Sequence, residues 1–151
     1  YDLWLRAHQA GFRFGKPKGI LLDWRDHHQR LSRTDPRCAL SRFPAARAYY
    51  LARGPLLERP ALIWGAGEAG ALLCDALDDV GVPVQGFIDI DPRRLRGGRK
   101  RNRSVWPPQR VYGRGKALIL VAVGARGARP GLRRKLNEMG LLEGRDYLFV
   151  A

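Results

Sequence analysis

The residues best suited to chemistry form the glycine-rich segment Gly65-Ala66-Gly67-Glu68-Ala69-Gly70. Its spacing is G-x-G-x-x-G, and it lies between an apolar strand predicted over residues 61–64 and a helix predicted over residues 71–80. In this motif the first glycine permits a tight turn, the second lets a pyrophosphate approach the backbone, and the third lets helix and strand pack closely. Amide groups at the helix N-terminus would then face the anion. Gly65, Gly67 and Gly70 are therefore candidate nucleotide-binding residues.

An acidic residue follows the next predicted strand, residues 84–88. Asp89 lies 24 residues after Gly65, close to the roughly 20 expected for a carboxylate that binds a ribose. A second turn, after the most apolar segment at residues 117–123, contains Arg126 and Arg129. These arginines could hold phosphate, or they could be ordinary surface residues. The glycines, in turn, could bind a nucleotide or serve only the turn and its packing.

The elements needed to position these residues alternate between strand and helix from residue 61 onwards. Strands are predicted at 61–64, 84–88, 117–123 and 147–150, and helices at 71–80 and about 130–139, with a long polar loop over 91–116. This alternation is typical of a parallel sheet covered on both faces, an α/β fold. Residues 61–151 are thus predicted to form a small Rossmann-like domain, preceded by a linker at 54–60.

Residues 1–53 are predicted to form a separate segment. Asp2 begins a short helix that reaches Gln9, and two short strands are expected at 12–14 and 20–24, where Ile20, Leu22 and Trp24 alternate with other residues. Asp35 and Pro36 are a typical helix start. The helix is expected to run to residue 52, with a kink or a division at Pro44.

Composition narrows the class of protein. The 151 residues carry a formal net charge of +14, and 45% of them are hydrophobic, which excludes a wholly disordered basic tail. The longest apolar run, residues 117–123, is far shorter than a membrane span, and the first residues lack the features of a signal peptide.

Cys38 and Cys74 are interpreted as free thiols in a reducing cytosol, so a cytoplasmic location is expected. The chain begins with Tyr1 rather than Met, so we expect a fragment of a longer protein.

A basic cluster lies in the polar stretch after Asp91. It holds seven positive residues with no acid among them: Arg93, Arg94, Arg96, Arg99, Lys100, Arg101 and Arg103. Such a run could bind nucleic acid electrostatically, but it lacks interleaved aromatic residues and no known nucleic-acid module surrounds it. A solvated, mobile insertion is the favoured interpretation, and nucleic acid is not an expected partner.

Several sequence segments resemble bacterial family-2 glycosyltransferases. The N-terminal segments YDLWLR (1–6), AGFRF (10–14) and WRDHHQRLS (24–32) are similar to the closing part of the catalytic domain in that family. Some members carry a C-terminal Rossmann-like domain, and its features occur here as the G-A-G turn at Gly65, the FIDIDP strand end (87–92), VAVG (121–124) and EGRDY (143–147). The resemblance spans nearly the whole chain.

The resemblance implies inverting transfer of a sugar from a nucleotide-sugar donor to a glycan or lipid-linked acceptor, with a divalent Mg²⁺ or Mn²⁺ on the donor diphosphate. Arg25, His27 and Ser32 match the loop that approaches that diphosphate in the family, so they are candidate substrate-binding residues, with His27 a candidate metal ligand. The catalytic base and the metal-binding D-x-D are expected upstream of Tyr1, because the match at Asp89-Ile90-Asp91 belongs to the second domain.

The chain is therefore predicted to be the C-terminal fragment of a glycosyltransferase, without activity of its own. Two alternatives stay open: a stand-alone nucleotide- or NAD-binding module, and a basic nucleic-acid-binding protein.

Overall fold

A computed structural model describes residues 2–39 and 42–151 of the chain. The elements of its N-terminal part are all helical: α1 (Asp2–Gln9), α2 (Leu31–Thr34), a 3₁₀ turn (Pro36–Cys38) and α3 (Phe43–Ala52). The rest alternates between strands and helices: β1 (Ala61–Trp64), α4 (Glu68–Asp79), β2 (Val84–Ile88), α5 (Pro92–Gly97), β3 (Arg99–Lys100), β4 (Arg103–Trp106), a 3₁₀ helix (Pro108–Gly113), β5 (Leu118–Val121), α6 (Ala128–Glu138) and β6 (Tyr147–Phe149).

The strands form one six-stranded, mostly parallel sheet in the order β3-β4-β2-β1-β5-β6. Only the β3–β4 hairpin is antiparallel. The five parallel strands occur in the chain order third, second, first, fourth, fifth, so the direction of winding reverses between β1 and β5. This order is consistent with a Rossmann-like fold, in which ligands bind beyond the carboxyl ends of the strands at that reversal. The predicted α/β class with a parallel sheet is confirmed.

Register brings the loops that follow three strands to the same edge of the sheet. Trp64, the last residue of β1, pairs with Ile88 at the end of β2 and with Val121 at the end of β5. The glycine-rich turn, Asp89 and the loop after β5 therefore emerge side by side. The sequence prediction of these three strands places them within two residues of their observed ends.

Each face of the sheet carries its own apolar core. One core contains Ile63, Leu118 and Leu120 together with the inner sides of α3 and α4, whereas the other contains Leu62, Trp64 and Ile119 with Leu136 of α6. Cys74 is fully buried in the first of these cores, and that burial raises the pKa of its thiol to about 11. The cysteine thus packs as a small hydrophobic residue.

Helix α3 belongs to the core of the sheet although the predicted boundary places it in the preceding segment. Its residues Ala48 and Leu51 are buried in the same cluster as Leu56, which lies in the predicted linker. The helix starts at Phe43, with Pro44 in its first turn, where a proline is tolerated because the first amides have no helical acceptor. Asp35 caps only the short 3₁₀ turn, accepting a hydrogen bond from the Arg37 amide. The helix predicted to begin at Asp35 and to kink or divide at Pro44 is therefore wrong in its start, because the α-helix begins at Phe43. Residues 40 and 41 lie outside the described residues.

The strand pair predicted at 12–14 and 20–24 is not formed. Residues 12–17 and 20–28 have neither helix nor strand, and Ile20, Leu22 and Trp24 are 74–86% exposed. An alternating pattern forms a strand only where a neighbouring backbone can accept its hydrogen bonds and a surface can cover its apolar side. The described part of the chain offers neither to this segment.

The prediction of a solvated, mobile insertion after Asp91 is also wrong. Asp91 caps α5 by accepting a hydrogen bond from the Arg93 amide at 2.9 Å, Leu95 packs on the first core, and β4 joins the sheet beside β2. Arg101 and Arg103 reach back to acids on α4, at 2.7 Å from Asp75 and 2.6 Å from Asp78. The run of positive charge in the sequence did not indicate that these arginines would pair with acids so far away in the chain.

Among the described residues, the structure contains no helix with both the length and the apolar content needed to cross a membrane.

Candidate functional site

Two of the three motif glycines are required by the fold. Gly65 has φ +111°, which disfavours other residues, and its amide donates to the Ile88 carbonyl at 2.7 Å. Gly70 lies in the first turn of α4, where a Cβ atom would stand 1.9 Å from the Gly65 carbonyl oxygen. The third glycine therefore allows α4 to pack against the turn, as the motif predicts.

Gly67 is different, because its neighbours leave room for a side chain. It caps α4 with φ −76°, a value that any residue adopts. A Cβ atom here would have its nearest neighbour, Nη2 of Arg94, at 3.6 Å, which is ordinary contact. The three nearest atoms to this position, at 3.6–3.8 Å, all belong to the flexible cationic side chain of Arg94.

The carboxylate of Asp89 is buried, with 4% of the residue exposed, and it is fully engaged by the protein. Its Oδ2 accepts from the Ala66 amide at 2.7 Å and from Arg94 Nη1 at 2.9 Å. Its Oδ1 accepts from the amides of Ile90 at 2.8 Å and Asp91 at 2.9 Å. Burial alone would raise the pKa of Asp89, but these hydrogen bonds and the Arg94 charge outweigh it and hold the pKa below its usual range.

Arg94 connects Asp89 to the space above Gly67. Its side chain is 46% exposed, and Nε lies 3.8 Å from Asp91. The hydrogen bond and the charge of Asp89 raise the pKa of Arg94 above its already high value. Analysis of the sequence placed this arginine only in the basic cluster. The available signal was the Asp91-Pro92 helix start, which sets Arg94 in the first turn of α5, directly after β2.

The second turn lies against the first. A Cβ atom on Gly65 would be 3.1 Å from the Ala122 carbonyl oxygen and from Cγ2 of Val123, so the loop after β5 borders the glycine-rich turn. Arg126 is exposed in that loop. Arg129 is instead engaged with the C-terminal residue, since its guanidinium donates to the Ala151 carbonyl and lies 5.6 Å from the Phe149 ring centroid.

The N-terminal candidates are all exposed and are not brought near the glycine-rich turn by any described contact. Arg25 and His27 lie in the segment without helix or strand, and Ser32 lies in α2. Their neighbour Asp26 pairs with Arg30 at 3.0 Å and Arg33 at 2.6 Å, which organises the loop locally. Within residues 2–39 and 42–151, no group of three or more His, Cys, Asp or Glu side chains is placed to hold a metal ion.

The fold and the site together define an α/β chain with a mostly parallel sheet and a glycine-rich turn at the point where its winding reverses. Neither the known family models nor the curated proteins provide a match to this sequence.

Proposed function

We propose that residues 42–151 form a nucleotide-binding module whose ligand lies over Gly65–Gly70 with its phosphates above Gly67. The observation that carries this proposal is that a Cβ atom on Gly67 would make only ordinary contacts, with the Arg94 guanidinium as its nearest neighbour. Gly65 and Gly70 are needed for the turn, but the second glycine is needed by neither backbone conformation nor internal packing. A missing side chain at that position benefits a group that approaches from outside, as a phosphate does in glycine-rich nucleotide sites.

The surroundings of Gly67 suit an anion. The first amides of α4 have no carbonyl acceptor within the helix, and a helix N-terminus carries partial positive charge. Arg94 lies against Gly67, and the loop containing Arg126 borders the turn at Gly65. Backbone donors and guanidinium groups are the usual partners of phosphate oxygens.

A titration with a matched control tests this proposal. UDP, a UDP-sugar and NAD would be titrated by calorimetry into the unaltered chain, Gly67→Val and Gly131→Val. Gly131 lies in α6 with no heavy atom near the position of its Cβ, so its variant controls for adding valine to a helix. We expect Gly67→Val to abolish binding and Gly131→Val to preserve it. Binding that survives in Gly67→Val would show that the turn is only structural.

The basic residues of the hairpin are expected to be dispensable for this binding. Arg99 and Lys100 lie on β3, and no contact joins them to the turn in the described structure, so changing both to Ser is expected to leave the affinity unaltered. Loss of binding in this variant, with binding retained in Gly67→Val, would move the functional surface to the hairpin.

We further propose that the chain is the closing part of an inverting glycosyltransferase, with residues 2–39 derived from the catalytic domain. The favouring observation is the exposure of the apolar side chains in this region, where Phe12, Phe14, Leu21 and Leu31 all lie on the surface. Several large apolar side chains exposed in one segment are typical of a surface that binds another part of a protein. In the whole enzyme, Arg25 and Ser32 would face the diphosphate of a nucleotide-sugar donor, and the acceptor would be a glycan or a lipid-linked sugar.

The described residues do not fit a bound divalent metal on their own. His27 is exposed, and no acidic cluster accompanies it, so a Mg²⁺ or Mn²⁺ site would need ligands from elsewhere, and no metal-dependent step is assigned to this chain. We expect the chain alone to release no nucleotide diphosphate from a panel of sugar donors with either metal, assayed beside an active transferase. Clear turnover would overturn the assignment of these residues to a partial catalytic domain.

A further inference from the structure

We infer that Arg94 is the side chain that binds the phosphates in this site, and that Asp89 positions Arg94 rather than binding a ribose. This inference rests on the proposed nucleotide site and goes further by assigning its charged ligand. It also departs from the sequence expectation, in which Asp89 faces the ribose.

The Asp89 carboxylate has no hydrogen-bonding capacity left for a ribose. Two carboxylate oxygens offer about four lone-pair directions, and four donors already occupy them: the amides of Ala66, Ile90 and Asp91 and the Nη1 group of Arg94. A ribose hydroxyl could bond to Asp89 only by displacing one of these donors. Three of them are backbone amides that hold the turn and the start of α5, so displacing them would disturb the fold.

Arg94, by contrast, has donors to spare. A guanidinium carries five N–H groups, and the described hydrogen bonds use only one, on Nη1. The Nη2 group lies 3.6 Å from the position of a Cβ atom on Gly67, and nearly half of the side chain faces solvent. The remaining edge can form paired hydrogen bonds to phosphate oxygens, the geometry for which arginine is suited.

The ion pair sets where that edge lies. Asp89 is fixed by backbone amides on two loops, so its bond to Nη1 anchors one side of the guanidinium at the end of β2. The guanidinium then lies over Gly67, the N-cap of α4, with Nη2 at 3.6 Å and Nη1 at 3.8 Å from the position of a Cβ atom there. A phosphate there would touch Arg94 and the first helix amides together, and a side chain on residue 67 would separate the two.

The predicted ligand class is therefore a diphosphate, with little contribution from the sugar hydroxyls. Calorimetry with inorganic pyrophosphate, UDP, 2′-deoxy-UDP and uridine separates these parts. We expect UDP and pyrophosphate to bind, uridine to bind far more weakly, and 2′-deoxy-UDP to match UDP within about twofold, because Asp89 is already saturated. A loss of about tenfold or more for 2′-deoxy-UDP would reassign Asp89 to the ribose.

The variants Arg94→Gln, Arg94→Lys and Arg96→Gln test the role of the arginine. Arg96 is exposed on the same short helix, so its variant matches the change in charge without touching the turn. We expect Arg94→Gln to weaken UDP binding by about tenfold or more, Arg94→Lys to restore part of it, and Arg96→Gln to change it by less than about threefold. Tighter binding in Arg94→Gln would show that Arg94 obstructs the site, and equal losses in both Gln variants would show only an effect of net charge.

The double variant Asp89→Asn/Arg94→Gln tests positioning. If Asp89 acts through Arg94, the single variant Asp89→Asn binds UDP more weakly than the unaltered chain, whereas the double variant binds UDP as Arg94→Gln does. Circular dichroism checks that each variant is folded. A further loss in the double variant would show that Asp89 only holds the turn. Absence of UDP and pyrophosphate binding in the unaltered chain would overturn the nucleotide site itself. Binding that is lost in Gly67→Val but unchanged in Arg94→Gln would overturn only the inference about Arg94.

Discussion

Residues 20–24 and the strand β1 contain similar apolar side chains, yet only β1 is built into a core. The four residues of β1 are buried between β2 and β5, whereas Ile20, Leu22 and Trp24 lie almost fully in solvent. The difference is that β1 has a neighbouring strand on each side and helices over both faces. Apolar spacing thus identifies the side chains that could be buried, but a covering surface decides whether they are.

The two regions also use charge differently. Ion pairs around α1 and α2 are local, such as the exposed pair of Arg6 with Asp2 four residues away. In the sheet region some of them join distant elements, as Arg114 does with the buried Asp146 at 2.7 Å. Residues 42–151 should therefore behave as one cooperative unit, and residues 2–39 should contribute little to its stability.

The largest effect is expected from Gly70→Ala. The new Cβ would lie 1.9 Å from the Gly65 carbonyl oxygen, so α4 must move away from the sheet at a cost on the order of 4 kcal/mol in the free energy of unfolding. Gly131→Ala in α6 is the control, because it meets no neighbour and gains up to about 1 kcal/mol of helix propensity. Urea denaturation of both variants measures the difference, and equal stabilities would contradict the packing described for the third glycine.

A matched pair of leucines compares the two regions directly. Leu120 in β5 is fully buried, whereas Leu22 is 76% exposed. In denaturation experiments, we expect Leu120→Ala to lower the free energy of unfolding by about 2–5 kcal/mol. Leu22→Ala should lower it by less than about 0.5 kcal/mol. A comparable cost for Leu22→Ala would mean that residues 12–31 are packed in solution.

Acid pH should lower the free energy of unfolding of the sheet region through protonation of Asp89. Because hydrogen bonds keep the pKa of Asp89 lowered in the folded chain, the unfolded chain takes up the proton first as the pH falls. The stabilisation is therefore complete above the unfolded pKa of about 3.9 and is lost as the pH falls toward the folded value.

The corresponding variants are Asp89→Asn and Asp23→Asn. We expect Asp89→Asn to lower the free energy of unfolding by about 1–3 kcal/mol at pH 7, and this deficit should shrink below about pH 4. Asp23 is exposed in the N-terminal segment, so its variant should follow the unaltered chain. Unfolding free energies measured from pH 7 to pH 3 provide the comparison, and a deficit for Asp89→Asn that stays constant over that range would contradict this role.

The part of the fold that was predictable from sequence is the part in which local pattern and tertiary environment agree. The apolar runs at β1, β2 and β5 and the glycine-rich turn each specify a buried strand or a strand-to-helix connection. The α5–β4 region was missed because its stability depends on pairs such as Arg101 with Asp75, which the chain order separates by 26 residues. Its hairpin also turns through Arg101 and Asn102 with positive φ, and neither is a glycine that would mark a tight turn.

The candidate site was predictable in position but not in its charged groups. The spacing of Gly65, Gly67 and Asp89 located the turn and the acid, because both follow directly from strand ends. The saturation of Asp89 by backbone amides depends on how two loops approach each other, and the placement of Arg94 over Gly67 depends on the angle at which α5 leaves β2. Neither is encoded in residue spacing.

The nucleotide site is tested by a map of backbone amide shifts in the ¹⁵N-labelled chain during titration with UDP. We predict that the perturbed amides belong to Gly65–Gly70, to residues 89–94 and to the loop around Arg126, while residues 12–31 and the hairpin at Arg99 and Lys100 stay unchanged. Shifts confined to Arg25, His27 and Ser32, with none in the glycine-rich turn, would contradict the nucleotide site and move the binding surface to the N-terminal segment.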